Sequence, residues 1–483
     1  GNSNGISNGI SSASSNNLNS SGGPPKISET RRNRFLMYLL GALGLLLIDR
    51  VCRRPYLLLE PELSTLFHLC KNLDGFSPKN SALRRETAAK ILTSLVQRDP
   101  DARLSLINQG SLKQVLALLN PKGPGESMVQ FCMASLLATL VLDDDVMNLI
   151  RERKEAPIMF DACLILLQGT LNKLERELER MVGNNVPALE PVDADHDAFD
   201  IEMGVRLAEA ASQAMWGSAH YCVMMDPIQV KADQITALGK MGVMCYHTQS
   251  LPLSRVCHCI TATLATLAAS PDAAMLIMTS PDDVVLDALM ELLEVLESDT
   301  FEAANHVKAS ACAGVAFLSC HPIGVEGDEC MNGPFRLKLL NKGAFGALLR
   351  AALTSVLDLD CNHVIQQASA IGLMYLSTMA GELEASELAM YAALLMDSDN
   401  SEMIEFLMAG MWILLRNPYN RGILGTSFNP SPANAVAKNM VSKLNDAITV
   451  HEVQNTVNEK LNRISMAISN NNNNNNNGNS DSE

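Results

Sequence analysis

Three clusters in this 483-residue chain hold side chains of the types that bind metals or move protons. Asp193-x-Asp195-x-Asp197 has the alternating carboxylates of a calcium loop. A helix–loop–helix calcium site, however, needs Gly where Ala198 stands and a bidentate Glu where Gly204 stands, so the stretch reads as a solvated acidic loop. Cys257-His258-Cys259, and Cys320-His321 with Cys330, carry zinc-type donors. Consecutive helical residues point about 100° apart, so three in a row cannot share one tetrahedral ion. These read as core cysteines with a surface histidine, and no metal ligand is assigned. For catalysis, the chain has no G-x-S-x-G elbow, no P-loop and no H-E-x-x-H helix. Gly324-Val325-Glu326-Gly327 has nothing after it to complete a phosphate loop. No catalytic residue, cofactor or small-molecule substrate is therefore expected. An enzyme would have to reside in the irregular inserts 183–200 or 323–333.

The elements that carry these residues are helical by composition: charged residues make up 19% and aromatics 4%, with Leu, Ala and Met abundant. The net charge of −16 is uneven. Residues 1–54 hold seven basic and two acidic side chains, which leaves the rest with a net of −21. Such a body repels nucleic acid and favours basic partners. The twelve cysteines sit mostly in apolar helical stretches and behave as small hydrophobes, which indicates a reducing compartment rather than a disulfide scaffold.

Residues 83–119 set the pattern for the whole chain. At a period of 3.6, Ala88, Ala89, Leu92, Leu95 and Val96 share one face. Asp99-Pro100-Asp101 stops that helix, because proline lacks an N–H and disfavours a helical residue before it. A short helix follows, Gly110 permits a sharp turn, and Ser111 is placed to cap a third helix bearing Leu112, Val115, Leu116, Leu118 and Leu119. The same punctuation returns around Asp143, at Ser270-Pro271, at Pro322 and Gly343, and at Asn417-Pro418. About seven such units between residues 60 and 446 predict an all-α superhelix of stacked repeats.

These units resemble armadillo repeats, best over residues 83–168, 254–297 and 303–354. The resemblance implies a protein-binding solenoid whose groove is lined by the helix before each proline turn. In peptide-binding armadillo proteins that helix bears a Trp and, four residues on, an Asn. Here the Trp-equivalent positions are Lys90, Ser135, Ala262 and Ala313, and the Asn-equivalents are Ser94, Thr139, Thr266 and Phe317. That ladder is absent, so capture of extended basic peptides is not expected. Ser94, Ser135, Thr139 and Thr266 are the expected groove residues, with Tyr375 and Trp412 supplying aromatic area at the far end.

The ends differ from the body. Residues 1–34, rich in Ser, Asn and Gly, and the Asn-rich tail 470–483 have a composition that cannot build a core, and both are expected to be disordered. The run 35–48 is fourteen residues, apolar except for Tyr38 and flanked by arginines. At about 21 Å it is shorter than the roughly 30 Å hydrocarbon core, but snorkelling arginines can extend it. Residues 35–54 are read as a short membrane anchor, the competing reading being a first helix of the solenoid. Residues 433–468 form one amphipathic pattern, with 447–469 set apart as a C-terminal helix. The expected function is a non-enzymatic scaffold or adaptor at a membrane, its solenoid on the cytosolic face of an organelle outer membrane or inside an organelle. Its partner would be a protein with a basic or helical surface. The alternative is an accessory subunit of an organellar membrane complex.

Overall fold

The computed structural model describes residues 29–46, 60–71, 78–120, 126–182, 200–224, 230–248, 250–296, 301–321, 333–354, 358–398 and 400–427. Among them there is no strand. The first helices are α1 (Glu29–Leu46), α2 (Glu60–Cys70) and α3 (Pro78–Arg98). They are followed by α4 (Pro100–Asn108), α5 (Leu112–Ala117), α6 (Glu126–Leu140), α7 (Asp144–Glu152) and α8 (Ala156–Val182). The middle holds α9 (Ile201–Val223), α10 (Ala232–His247), α11 (Ser254–Ala268), α12 (Pro271–Met278) and α13 (Val284–Leu293). Then come α14 (Ala304–Cys320), α15 (Gly333–Asn341), α16 (Ala344–Leu353), α17 (Leu359–Ser377), α18 (Ala385–Asp397), α19 (Ser401–Leu414) and α20 (Pro418–Ser427).

The punctuation acts as its chemistry dictates. Asp99, extended at φ −141°, ends α3 and accepts from the Asp101 N–H to start α4 with Pro100 in the first turn. Asp143 does the same for α7, and Asn400 for α19, through the side-chain oxygen each offers to the first free N–H groups. Gly110 (φ 70°) and Gly343 (φ 80°) take the left-handed turns that follow the short helices. Ser111 corrects one expectation: it precedes α5 but is itself helical, and its side chain makes no capping hydrogen bond.

Two rows result. In the front row α3, α6, α9, α11, α14, α17 and α19 pack successively on one another; in the back row α8, α10, α13, α16 and α18 do so, and the rows share one apolar core running from Leu40 to Leu414. Each helix meets its neighbours in sequence order, which is the quasi-one-dimensional stacking of an armadillo-like α-solenoid. Small residues set the front-row spacing. A Cβ on Gly314 would lie 3.5 Å from the Ala265 Cα, one on Gly372 would lie 3.6 Å from the Ala316 Cα, and one on Gly410 would lie 3.2 Å from the Met374 Cα. Backbones this close leave no room for surface between them: on α11 every residue but Arg255 is buried, and on α14 every residue from Val307 onward.

The first helices carry two departures from the sequence reading. Arg84 and Arg85 are fully buried on α3, where Arg84 donates to the carbonyls of Leu69 and Lys71 and Arg85 to that of Cys70. They satisfy carbonyls at the C-terminal end of α2, groups that a helix end leaves without intrahelical donors. Residues 35–46 of the run assigned to a membrane span lie in α1, which packs against α3 with Leu40 in the core and Gly44 facing Ile91, and residues 47–54 lie outside the described residues. No single helix among the described residues is long and apolar enough to cross a membrane. Most of the acidic insert 183–200, most of the 323–333 insert, the helix expected over 433–468, residues 1–28 and the 470–483 tail lie outside the described residues, while residues 29–34, expected to belong to the low-complexity start, form the first turns of α1.

Candidate binding face

The front row is open at its N-terminal end and closed in its middle. On α3, Lys90 and Gln97 are exposed and Ser94 is half-buried between them, one turn from each. On α6 the half-buried positions Phe131, Ser135 and Thr139 repeat every four residues, and Thr139 Oγ1 donates to the Ser135 carbonyl at 2.9 Å. The two helices are tied beneath this stripe by Thr93, whose hydroxyl meets the Cys132 carbonyl at 2.9 Å. On α9 the stripe continues through Arg206, Glu209, Gln213, Gly217 and His220. Val141 fills the space beside Gly217, where a Cβ would approach it to 2.4 Å. Burial raises the Glu209 carboxyl above its usual range, with Arg255 and Arg206 opposing, and burial lowers His220 against the pull of Asp144.

Beyond α9 the face closes. Trp216, 4% exposed, lies over α11 and its indole N–H donates to Thr266 Oγ1 at 3.3 Å. Thr266, expected in the groove, is therefore covered by an indole contributed by the preceding unit. Beside it runs a line of rings: Trp216 meets His258 edge-on at 5.4 Å between centroids, and His258 meets His306 at 5.1 Å. Burial, then the neighbouring His306, lowers His258 to about 3, so it is a neutral imidazole.

The line ends where α14 meets α17. His306 Nε2 stands 4.0 Å from Asp358 Oδ2, while the other carboxylate oxygen caps α17 by accepting from the N–H groups of Asp360 and Cys361. The Cys361 thiol is buried and pushed up to about 12, by burial first and then by the carboxylates of Asp358 and Asp360. Burial would raise Asp358, but the Cys361 N–H and thiol, His306 and the Asp360 N–H together hold it below the usual range. One potential ligand atom from each of His306, Asp358 and Cys361 lies within 4.8 Å of the other two.

The two far aromatics sit differently from one another. Tyr375 is buried at 7% exposure beneath the Arg336 guanidinium, 5.0 Å from its ring. Trp412 is half-buried, with the Arg416 guanidinium stacked 3.7 Å above it. Of the sequence-expected groove residues, Ser94, Ser135 and Thr139 are brought together on the open face, Thr266 lies under Trp216, and Tyr375 and Trp412 lie on α17 and α19 apart from them. Of the zinc-type cluster, Cys257, His258 and Cys259 are all buried on α11, with the Cys257 thiol on the Gly242 carbonyl at 3.4 Å. His321 meets the Ala268 carbonyl at 2.6 Å, an inter-repeat tie rather than a ligand pose. The ring line and its His–Asp–Cys end escaped the sequence because the steps from Trp216 to His258, to His306 and to Asp358 are 42, 48 and 52 residues long; the one signal that could have found them was the Trp within the weak repeat 210–225.

No family model matches this chain, and no curated protein matches it. Among solved structures, the designed armadillo repeat protein YIII(Dq)4CqI aligns at 15% identity over 64% of this chain and 100% of its own, with a TM-score of 0.37. A second designed armadillo repeat protein, YIII(Dq.V1)4CPAF, in complex with the peptide (KR)4, aligns at 11% identity over 73% of this chain and 99% of its own, with a TM-score of 0.31. Superpositions this loose carry no argument of their own, and the repeat architecture stands on the helices, caps and two-row packing described above.

Proposed function

We propose that the protein is a non-enzymatic interaction scaffold that engages a protein partner through the open face of α3, α6 and α9. The observation that carries this reading is the alignment of accessible polar positions on three successive front-row helices whose other sides are locked in the core. The short hydroxyl side chains of Ser94, Ser135 and Thr139, flanked by the longer Lys90 and Gln213, lie over a rigid floor, a surface suited to a folded or helical partner. The net −21 of residues 55–483 favours a basic one, with association that weakens as salt rises. The closed middle does not suit an extended peptide running the length of the array, because Trp216 occupies the position over Thr266. The test is a double substitution, Ser135→Arg with Thr139→Arg, compared by quantitative affinity enrichment with Lys240→Glu on the back row. Partners that disappear from the first variant and persist in the second support the reading; identical partner sets from both contradict it.

Membrane tethering, in the same reading, rests on α1. Its outer face exposes Phe35, Tyr38, Leu39, Leu45 and Leu46, with Arg31 and Arg34 exposed at its start. A helix of this kind fits the interfacial plane with its arginines at the headgroups. The free, buried cysteines suit the reducing side of an organelle membrane. Flotation of the full chain with anionic vesicles, lost on Phe35→Glu with Leu39→Glu, is the expected result; a wild-type chain that stays at the bottom of the gradient removes the tether.

A further inference from the structure

We propose that His306, Asp358 and Cys361 form a site for a zinc-type divalent metal ion, which clamps the start of α14 to the start of α17. An imidazole nitrogen, a carboxylate oxygen and a thiolate sulfur are the donor set that zinc takes from proteins, at about 2.0–2.3 Å each, and the Cys361 thiol releases its proton to solvent as the ion binds. The three atoms lie within 4.8 Å of one another on two helices, so bringing them to a common ion requires shifts on the order of an ångström. The partners of each group are compatible with ligation. One Asp358 oxygen already caps α17 and fixes the carboxylate, which leaves the oxygen nearer His306 to serve as ligand. His306 packs against the edge of His258, 5.1 Å between ring centroids, which holds the imidazole in place beside Asp358. Cys361 is buried on the core side while His306 and Asp358 are partly exposed, so the ion enters from solvent and its fourth position stays open to water or a partner's side chain. The three-ligand, one-open arrangement is also the one through which a partner could complete the coordination sphere.

Cobalt(II) titration of the full-length chain, stripped with chelator and kept reduced, tests this directly, since thiolate-bound cobalt absorbs in the near ultraviolet. One equivalent should bind with that band and be displaced by zinc. Cys361→Ser should abolish the band, and His306→Ala and Asp358→Asn should each weaken binding by at least about tenfold, the range already seen for residues that only support ligands. His363→Ala, an exposed neighbour on the same helix, should change nothing. If Cys361→Ser fails to fold, the two variants at the partly exposed positions decide the matter. Absence of the band in the wild-type chain, or a band that survives undiminished in all three ligand variants, overturns the site.

Discussion

The indole N–H of Trp216 reaches across 50 residues of sequence to the hydroxyl of Thr266, at 3.3 Å. That bond, with the indole spread over α11, is what ends the open face of the solenoid after its third front-row helix. The chain has only two tryptophans, and they differ sharply: Trp216 is buried, while Trp412 is half-buried under Arg416. Trp412→Phe should therefore leave a single emitter with short-wavelength fluorescence that resists acrylamide. Thr266→Val in that background keeps the shape but strands a buried N–H, and should cost about 1–3 kcal/mol in urea unfolding. Red-shifted, freely quenched emission from Trp216 would mean that the face is open there.

Gly410 meets Tyr391 closely enough that a Cβ would stand 2.2 Å from the phenol oxygen, which itself donates to the Leu407 carbonyl at 2.9 Å. Tyr391 is fully buried and cannot swing aside. Gly410→Ala should destabilise the C-terminal units by about 1–3 kcal/mol, the usual cost of overpacking. Tyr391→Phe removes the clashing oxygen, so the penalty of Gly410→Ala should shrink in that background. A double-mutant cycle measures the difference, and purely additive effects would contradict the contact.

His258 gives a pH signature. Its folded value of about 3 lies below the usual 6.5, so the unfolded chain binds the proton more readily. The stability it contributes is complete above pH 6.5 and is lost progressively as pH falls from there toward 3, by up to about 1.4 kcal/mol per pH unit. His220 and His321 are shifted in the same direction, both chiefly by burial, and steepen the loss. Melting temperatures between pH 7.5 and 5 should fall, and His258→Gln should flatten the slope even though it lowers the plateau. An unchanged slope would show that His258 is protonated in the folded chain.

The local grammar of the fold was written in the sequence, and its long-range contacts were not. Asp99-Pro100, Gly110 and Gly343 announce breaks that local backbone chemistry enforces, so the unit boundaries could be read one repeat at a time. The same holds for Ser94, Ser135 and Thr139, whose helical phase places them opposite the apolar stripe. What decides whether a face is open is how closely successive helices approach. That depends on Gly314 meeting Ala265 and Gly372 meeting Ala316, pairs about 50 residues apart that no local pattern links. Thr266 and Tyr375 look like face residues by phase alone, yet they are buried by a neighbouring Trp and Arg. The apolar run of α1 reads as a span by composition, and only its packing on α3 reveals a helix with one face seated on the solenoid.

A scaffold that meets its partner through the open front-row face, and not through the back row, should show that choice in the native cell. A photo-crosslinking amino acid placed at Ser135 on α6, or at Lys240 on α10, reports which row is touched, whatever the partner is. Position 135 should give a discrete adduct of one defined mass, weakened when cells are lysed into high salt before irradiation, and position 240 should give none. A discrete adduct from position 240 with none from 135 would place the partner on the back row and refute the scaffold face.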